Sequence, residues 1–362
     1  MIVLIVLGCL DKRLTETEKI ANQVDPYLCF SETPETPIII HAVPYTVDAV
    51  QSPKWRAIFG DGSSVDFEMG RATMGHVNLS SDGTWGAVAQ ENGSIGIFQV
   101  EPNSVDVIDE QWIPVYENET LYATRAWLDP LQDRLWFVDG NLSLKGGLYS
   151  APIDCESKTL GAVEKFFMSK HGGPIAFVNE VEFNTIFVGE SIESGPQVTT
   201  FNRYNNDSPH MVFDAFPDNE AIFSSMGSNG RDVLIGDNNA FSGLGNRVVH
   251  IDVRTGETIH SLSIEDPTAI EVQTNWALIA SGFQNALYLY DLTTLELGEL
   301  TLSYSSQLPF SIVPHNGNVY IGQYNGIREI SMDSTGYLED HMLISGTGID
   351  GIFGPFGIVG DW

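Results

Sequence analysis

Apolar residues along this chain come in short alternating runs broken by Gly, Asn and Asp, the pattern of strands joined by tight turns. The clearest passage reads His76-Val-Asn-Leu, a turn at Ser81-Asp82-Gly83, then Trp85-Gly-Ala-Val-Ala, a turn at Glu91-Asn92-Gly93, then Ser94-Ile-Gly-Ile-Phe98 and Val105-Asp-Val-Ile108. Four strands thus fit into about forty residues. The same order returns from Thr124-Arg-Ala-Trp127, Ile175-Ala-Phe-Val, Ile222-Phe, Ala269-Ile-Glu-Val and Phe310-Ser-Ile-Val. First strands therefore start near 76, 124, 175, 222, 269 and 310, a nearly constant spacing. No substantial helix is predicted.

Four-stranded units repeated at this spacing cannot each bury two faces alone, so they stack radially into a β-propeller. The two ends of the chain supply one more unit. Pro37-Ile-Ile-Ile40, Trp55-Arg-Ala-Ile-Phe59 and Ser64-Val-Asp-Phe67 are three strands without an innermost partner, and Phe356-Gly-Ile-Val359 is an innermost strand without a blade. Joining them predicts an all-β, seven-bladed β-propeller of four-stranded blades, closed by the N- and C-terminal strands in a 3+1 arrangement that leaves no long sheet edge open. Residues 36–362 form this single domain, residues 10–35 read as a polar tether, and residues 1–9 stand apart.

That first stretch, Met1-Ile-Val-Leu-Ile-Val-Leu-Gly8-Cys9 followed by Asp11-Lys12-Arg13, resembles the end of a bacterial lipoprotein signal. The resemblance implies diacylation of Cys9 and an outer-membrane or periplasmic lipoprotein of the cell envelope, touching a membrane only through its lipid. No other segment approaches the roughly 20 apolar residues of a bilayer span. With Cys9 lipidated, Cys29 and Cys155 remain as a pair for which a disulfide is open.

Charge narrows the partners. There are 48 acidic and 17 basic residues, a net charge of −31. Such a chain repels nucleic-acid phosphates, so no nucleic acid is expected. The same carboxylates suit divalent cations or basic proteins. A monomer that binds protein or carbohydrate at the cell surface is the expectation.

Arg247-Val-Val-His-Ile-Asp-Val-Arg-Thr-Gly-Glu and Ala286-Leu-Tyr-Leu-Tyr-Asp-Leu-Thr-Thr-Leu-Glu resemble the surface-protein propellers known as YVTN repeats, themselves similar to lactonase-type and quinoprotein-dehydrogenase-like seven-bladed families. The likeness covers roughly residues 220–300. It implies a fold and transfers no catalytic residue.

On a propeller frame, connectors entering the inner strands share a face with the turns between second and third strands. The connectors bring His76, Arg125, His171, Glu220, Asp266 and Gln307 to one end of the central channel as candidate binding residues. The turns bring Glu91, Asp139, Glu190, Asp237 and Asn239 there, and Glu190, Asp237 and Asn239 become candidate ligands for calcium, a hard cation that takes six to eight oxygens. A turn-forming role for Asn and Asp competes with that reading. Asp61 to Glu68 lacks the spacing of a calcium loop and reads as a hairpin. No GxSxG, HExxH or P-loop is present, so no catalytic residue is assigned. The enzymatic alternative is a cation-dependent, lactonase-like hydrolysis using Glu220, Asp266 and His171 at the channel mouth.

Overall fold

The computed structural model describes residues 37–43, 54–70 and, apart from breaks at turns and loops, 77–359. The described residues contain no helix. They form seven antiparallel sheets and one short hairpin, Val115–Tyr116 with Glu119–Thr120.

Blade one consists of Asn78–Leu79, Trp85–Ala89, Ile95–Glu101 and Ser104–Trp112. Blade two has Ala123–Asp129, Arg134–Asp139, Gly147–Asp154 and Glu164–Met168, with a two-residue strand Thr159–Leu160 added at its rim. Blade three has Gly172–Phe177, Thr185–Ile192, Gly195–Asn202 and Met211–Asp214. Blade four has Phe223–Ser228, Asp232–Asp237, Arg247–Asp252 and Glu257–Ser263. Blade five has Pro267–Val272, Trp276–Ser281, Ala286–Asp291 and Leu297–Leu300. Blade six has Pro309–His315, Asn318–Gln323, Gly326–Met332 and Leu338–Ser345.

The seventh blade closes the ring as the sequence predicts. Phe356–Val359 pairs antiparallel with Ile38–Val43 in the register Ile38↔Val359, Ile39↔Ile358, Ile40↔Gly357 and His41↔Phe356. Lys54–Phe59 and Ser64–Glu68 complete it outward. The segment Asp61 to Glu68 begins as a hairpin turn: Asp61 accepts from the Ser63 amide at 2.8 Å, and Gly62 takes φ 82°, a conformation that favours glycine.

Burial explains the sequence pattern. Second strands such as Trp85–Ala89 are buried at every position because each lies between two neighbouring blades. They therefore read as continuous apolar runs rather than alternating ones. Outer strands meet water, and Glu257–Ser263 buries only Leu262. The core accordingly sits between blades. Trp85, Ile95 and Ile97 of blade one pack with Leu128, Phe137 and Tyr149 of blade two. Leu234, Val248 and Leu262 of blade four pack with Ile279, Tyr288 and Tyr290 of blade five. Each such side chain, fully buried, contributes about 1.5–3 kcal/mol.

The tryptophans of the second strands do not occupy one position. Trp85 and Trp276 open their strands, whereas Trp136 lies two residues further along its own. There its indole N–H donates to the buried Asp129 carboxylate at 3.0 Å. Trp55 is buried in the closing-blade core.

Candidate functional site

The inner strands build the channel, and five of them slip register by one residue near their start. In blades two, four, five and six, the first residue of the inner strand pairs with the last residue of the second strand, and the register then slips by one residue. The pairs are Ala123↔Asp139, Phe223↔Asp237, Pro267↔Ser281 and Pro309↔Gln323. Such bulges re-aim side chains at sheet ends. The second-strand residue opposite each bulge is polar, yet Asp139, Asp237, Ser281 and Gln323 are all buried.

Two of them bond into the scaffold. The Ser281 hydroxyl donates to the Glu265 carbonyl in the connector that enters its own blade. Asp237, with no exposed surface, accepts from Arg247 Nε at 3.2 Å. The Arg247 guanidinium in turn lies 4.7 Å from the centre of the Phe216 ring. A buried carboxylate requires such a partner, since an unpaired charge in this setting is strongly unfavourable. In this structure the Asp237 oxygen that the sequence offered to a cation meets a guanidinium.

Asp266 stands at the entrance to blade five with φ 46°. Its carbonyl accepts the Gly282 amide at 2.9 Å. A Cβ on Gly282 would come within 2.2 Å of Asp266 Oδ2, so only glycine lets this carboxylate lie against the second-to-third-strand turn. The connector and that turn thus share one end of the blade, as the propeller frame requires. Burial raises the Asp266 carboxyl above its ordinary range.

Arg125 sits on the inner strand of blade two, at the bulge. Its Nη2 donates to the Ser224 carbonyl at 3.1 Å, on the inner strand of blade four. Blade three stands between those two in the ring, so the bond spans the channel side of a whole blade. Ser224 and Ser225 then both donate their hydroxyls to the Pro267 carbonyl of blade five, at 2.7 and 2.8 Å. Burial lowers the Arg125 guanidinium.

Of the other expected residues, Glu190 is placed by its backbone, paired with Gly172 and Gln197. Cys9, His76, His171, Glu220, Asn239 and Gln307 lie outside the described residues, as do Cys29 and Cys155. Among the described residues no three of His, Cys, Asp and Glu are grouped so as to hold a metal ion. Nor is any described helix long and apolar enough to cross a membrane.

Sequence reasoning passed over Glu271 on the inner strand of blade five. Burial pushes its carboxyl up to about 7, against the opposing effect of a 2.9 Å hydrogen bond from Gln273. The one available signal was a lone acid inside the apolar run Ala269-Ile-Glu-Val272. The serines of blade four were also missed, because their significance depends on a neighbour 99 positions away.

No family model and no curated protein matches the chain. Solved structures do match it. A candidate 6-phosphogluconolactonase of Bacteroides fragilis is 12% identical, with 90% of this chain and 99% of that one covered at a TM-score of 0.61. The dihydro-heme d1 dehydrogenase NirN is 10% identical over 92% of this chain and 79% of its own, at a TM-score of 0.58. Apo AztD of Citrobacter koseri is 12% identical over 89% and 98%, at a TM-score of 0.51. Likeness at such identities establishes the architecture alone, and that architecture is the β-propeller.

Proposed function

We propose that this propeller is a binding module of the bacterial cell envelope. In this reading a lipid on Cys9 anchors it, residues 10–35 tether it, and a protein or carbohydrate binds at the channel end where connectors and second-to-third-strand turns meet. The observation that carries the reading is the engagement of the second-strand polar residues inside the scaffold. Asp139, Asp237, Ser281 and Gln323 are buried, and Asp237 and Ser281 are bonded to the scaffold, so the blades act as a rigid frame and recognition falls to the loops they hold. Two experiments test it. Metabolic labelling with a palmitate analogue should tag the full-length protein and leave a Cys9→Ser variant unlabelled. Envelope pull-downs should recover a specific partner, and equal labelling of both forms or recovery of no partner would overturn the anchored-binder reading.

A second reading is a cation-dependent, lactonase-like hydrolysis. It is favoured by the half-buried Asp266, whose raised carboxyl suits proton transfer, and by the likeness to a candidate 6-phosphogluconolactonase. Purified protein with calcium would then open a sugar lactone faster than buffer does, and Asp266→Asn would abolish the difference. A rate equal to buffer for both forms rejects hydrolysis.

A further inference from the structure

We infer that Arg125 is the anchor of an anion site in the central channel, taking the carboxylate or phosphate of a small organic acid. The inference rests on the binding reading above only in that the channel admits ligand; it is independent of lipidation and of any envelope partner.

The argument begins with charge. With 48 acidic residues against 17 basic ones, carboxylates are plentiful as partners for the cations. Arg56 pairs with Asp66, Arg134 with Glu164, Arg247 with Asp237 and Arg254 with Asp252. Among the described residues the partner of Arg125 is instead a neutral carbonyl, that of Ser224. A guanidinium carries five N–H donors in a planar fork, and one carbonyl satisfies one of them without neutralising the charge. Desolvation is what acts on Arg125, and among the described residues no carboxylate opposes it.

Placement supplies the rest. Arg125 belongs to an inner strand, immediately after the bulge that turns its side chain, and it reaches past blade three along the channel. The Ser224 carbonyl holds one arm of the fork. Ser224 and Ser225 direct their hydroxyl protons to Pro267, which fixes the inner strand that carries this carbonyl. The guanidinium is therefore held in position before any ligand arrives, and a held fork loses little freedom on binding a bidentate oxyanion. The net charge of −31 does not prevent this, because long-range repulsion fades over about 8 Å at physiological ionic strength whereas the contact with Arg125 is local and part-buried.

The test is calorimetric titration of the purified full chain with inorganic phosphate and, separately, with gluconate, in buffer of matched ionic strength. At least one probe should bind at millimolar concentration. Arg125→Gln should weaken that binding by at least about tenfold, the loss of one charge-assisted pair. Arg125→Lys should retain part of it, because a point charge replaces the fork. Arg254→Gln, at an exposed ion pair, should bind as the parent does. The stronger probe tells whether carboxylate or phosphate is the preferred group. Without anion, Arg125→Gln should melt no lower than the parent, since it removes a desolvated charge. Should Arg125→Gln fail to fold, the Arg125→Lys titration decides alone. Unchanged affinity in the Arg125 variants, or no binding of either probe by the parent, overturns the site. A lost anion site with an intact envelope partner would leave the binding reading standing, and the reverse result would leave the anion site standing.

Discussion

The seam between blades four and five and the seam that closes the ring solve one packing problem by different means. At the first, polar side chains stitch blade to blade. Ser224 and Ser225 donate to Pro267, Asn229 donates to the Gln273 carbonyl at 3.0 Å, and His250 meets the Tyr290 hydroxyl at 3.1 Å. At the closing blade, apolar burial and backbone register carry the load. Ile38, Ile40, Trp55 and Phe59 pack with Val77, Val88 and Phe98 of blade one, and the Val77 amide reaches the Phe356 carbonyl at 3.0 Å. Both seams bring inner strands close at a glycine: a Cβ on Gly227 would lie 2.8 Å from the Ile270 carbonyl, and one on Gly357 would lie 2.7 Å from the Val77 carbonyl. The difference follows from connectivity. Blades four and five are joined by continuous chain, so polar pins need only hold their orientation, whereas the closing blade must gain enough burial to keep two chain ends together.

The largest expected effect comes from removing residues 355–362. Phe356, Ile358 and Val359 are all buried, and at about 1.5–3 kcal/mol each their loss takes roughly 5 kcal/mol or more from the fold. The strand Ile38–Val43 would also be left as an open edge. Thermal unfolding should move to much lower temperature, and the truncated protein should associate. An unchanged midpoint would mean that closure contributes nothing to stability.

Gly227→Ala and Gly357→Ala sharpen the contrast at equal chemistry. Each drives a methyl into a backbone carbonyl, at an expected cost of about 1–3 kcal/mol. Blade four cannot yield without moving its neighbours, so Gly227→Ala should lower the global midpoint. Phe356–Val359 can peel away, so Gly357→Ala should instead speed hydrogen exchange at Ile38 to His41 more than it lowers the midpoint. If both variants respond identically, continuity does not distinguish the two seams.

The architecture was legible because strands covered on both faces and strands covered on one leave different apolar patterns, and because Pro37 to Ile40 and Phe356 to Val359 are visibly incomplete alone. The site was legible only in part. Asp237, Asp266 and Arg125 stand out as polar residues at strand ends, but nothing local distinguishes a carboxylate at a channel mouth from one turned inward to Arg247. The slip of register at Ser224 and the reach of Arg125 across blade three depend on residues far apart in sequence, which periodicity does not record.

Protonation should separate the two regions by pH. Burial holds His41, in the closing blade, below its ordinary 6.5, with Nδ1 donating to the Ala42 carbonyl at 2.8 Å. Its folded value lies below its unfolded one, so the stability it allows is present above about 6.5 and is lost as pH falls through the folded value. Glu271, in blade five, is shifted the other way, from 4.5 to about 7. Its contribution is full below the unfolded value and is lost as pH rises through about 7. Midpoints measured against pH should therefore fall on both sides. His41→Gln should flatten the slope between pH 6.5 and the onset of carboxylate protonation, and Glu271→Gln should flatten the slope above neutrality. Slopes unchanged by both substitutions would place the pH dependence elsewhere.

The smallest effect concerns calcium, and it again sets one blade against another. Carboxylates gathered at a channel mouth repel one another, and a bound divalent ion relieves that cost. In blade four Asp237 already meets Arg247 at 3.2 Å, so a cation there would have to displace a buried ion pair. Glu190 of blade three, which pairs with the first residue of its inner strand as Asp237 does, is then the better candidate for a contribution specific to calcium. With free ion near its dissociation constant the stabilisation is about 0.4 kcal/mol, readable as a small rise in midpoint over magnesium at matched ionic strength. Glu190→Gln should remove that difference. Asp237→Asn should lower the midpoint in every buffer alike, because it strands Arg247 rather than emptying a metal site. A calcium increment lost in Asp237→Asn and kept in Glu190→Gln would reverse the assignment, and equal shifts with sodium, magnesium and calcium would leave screening as the whole effect.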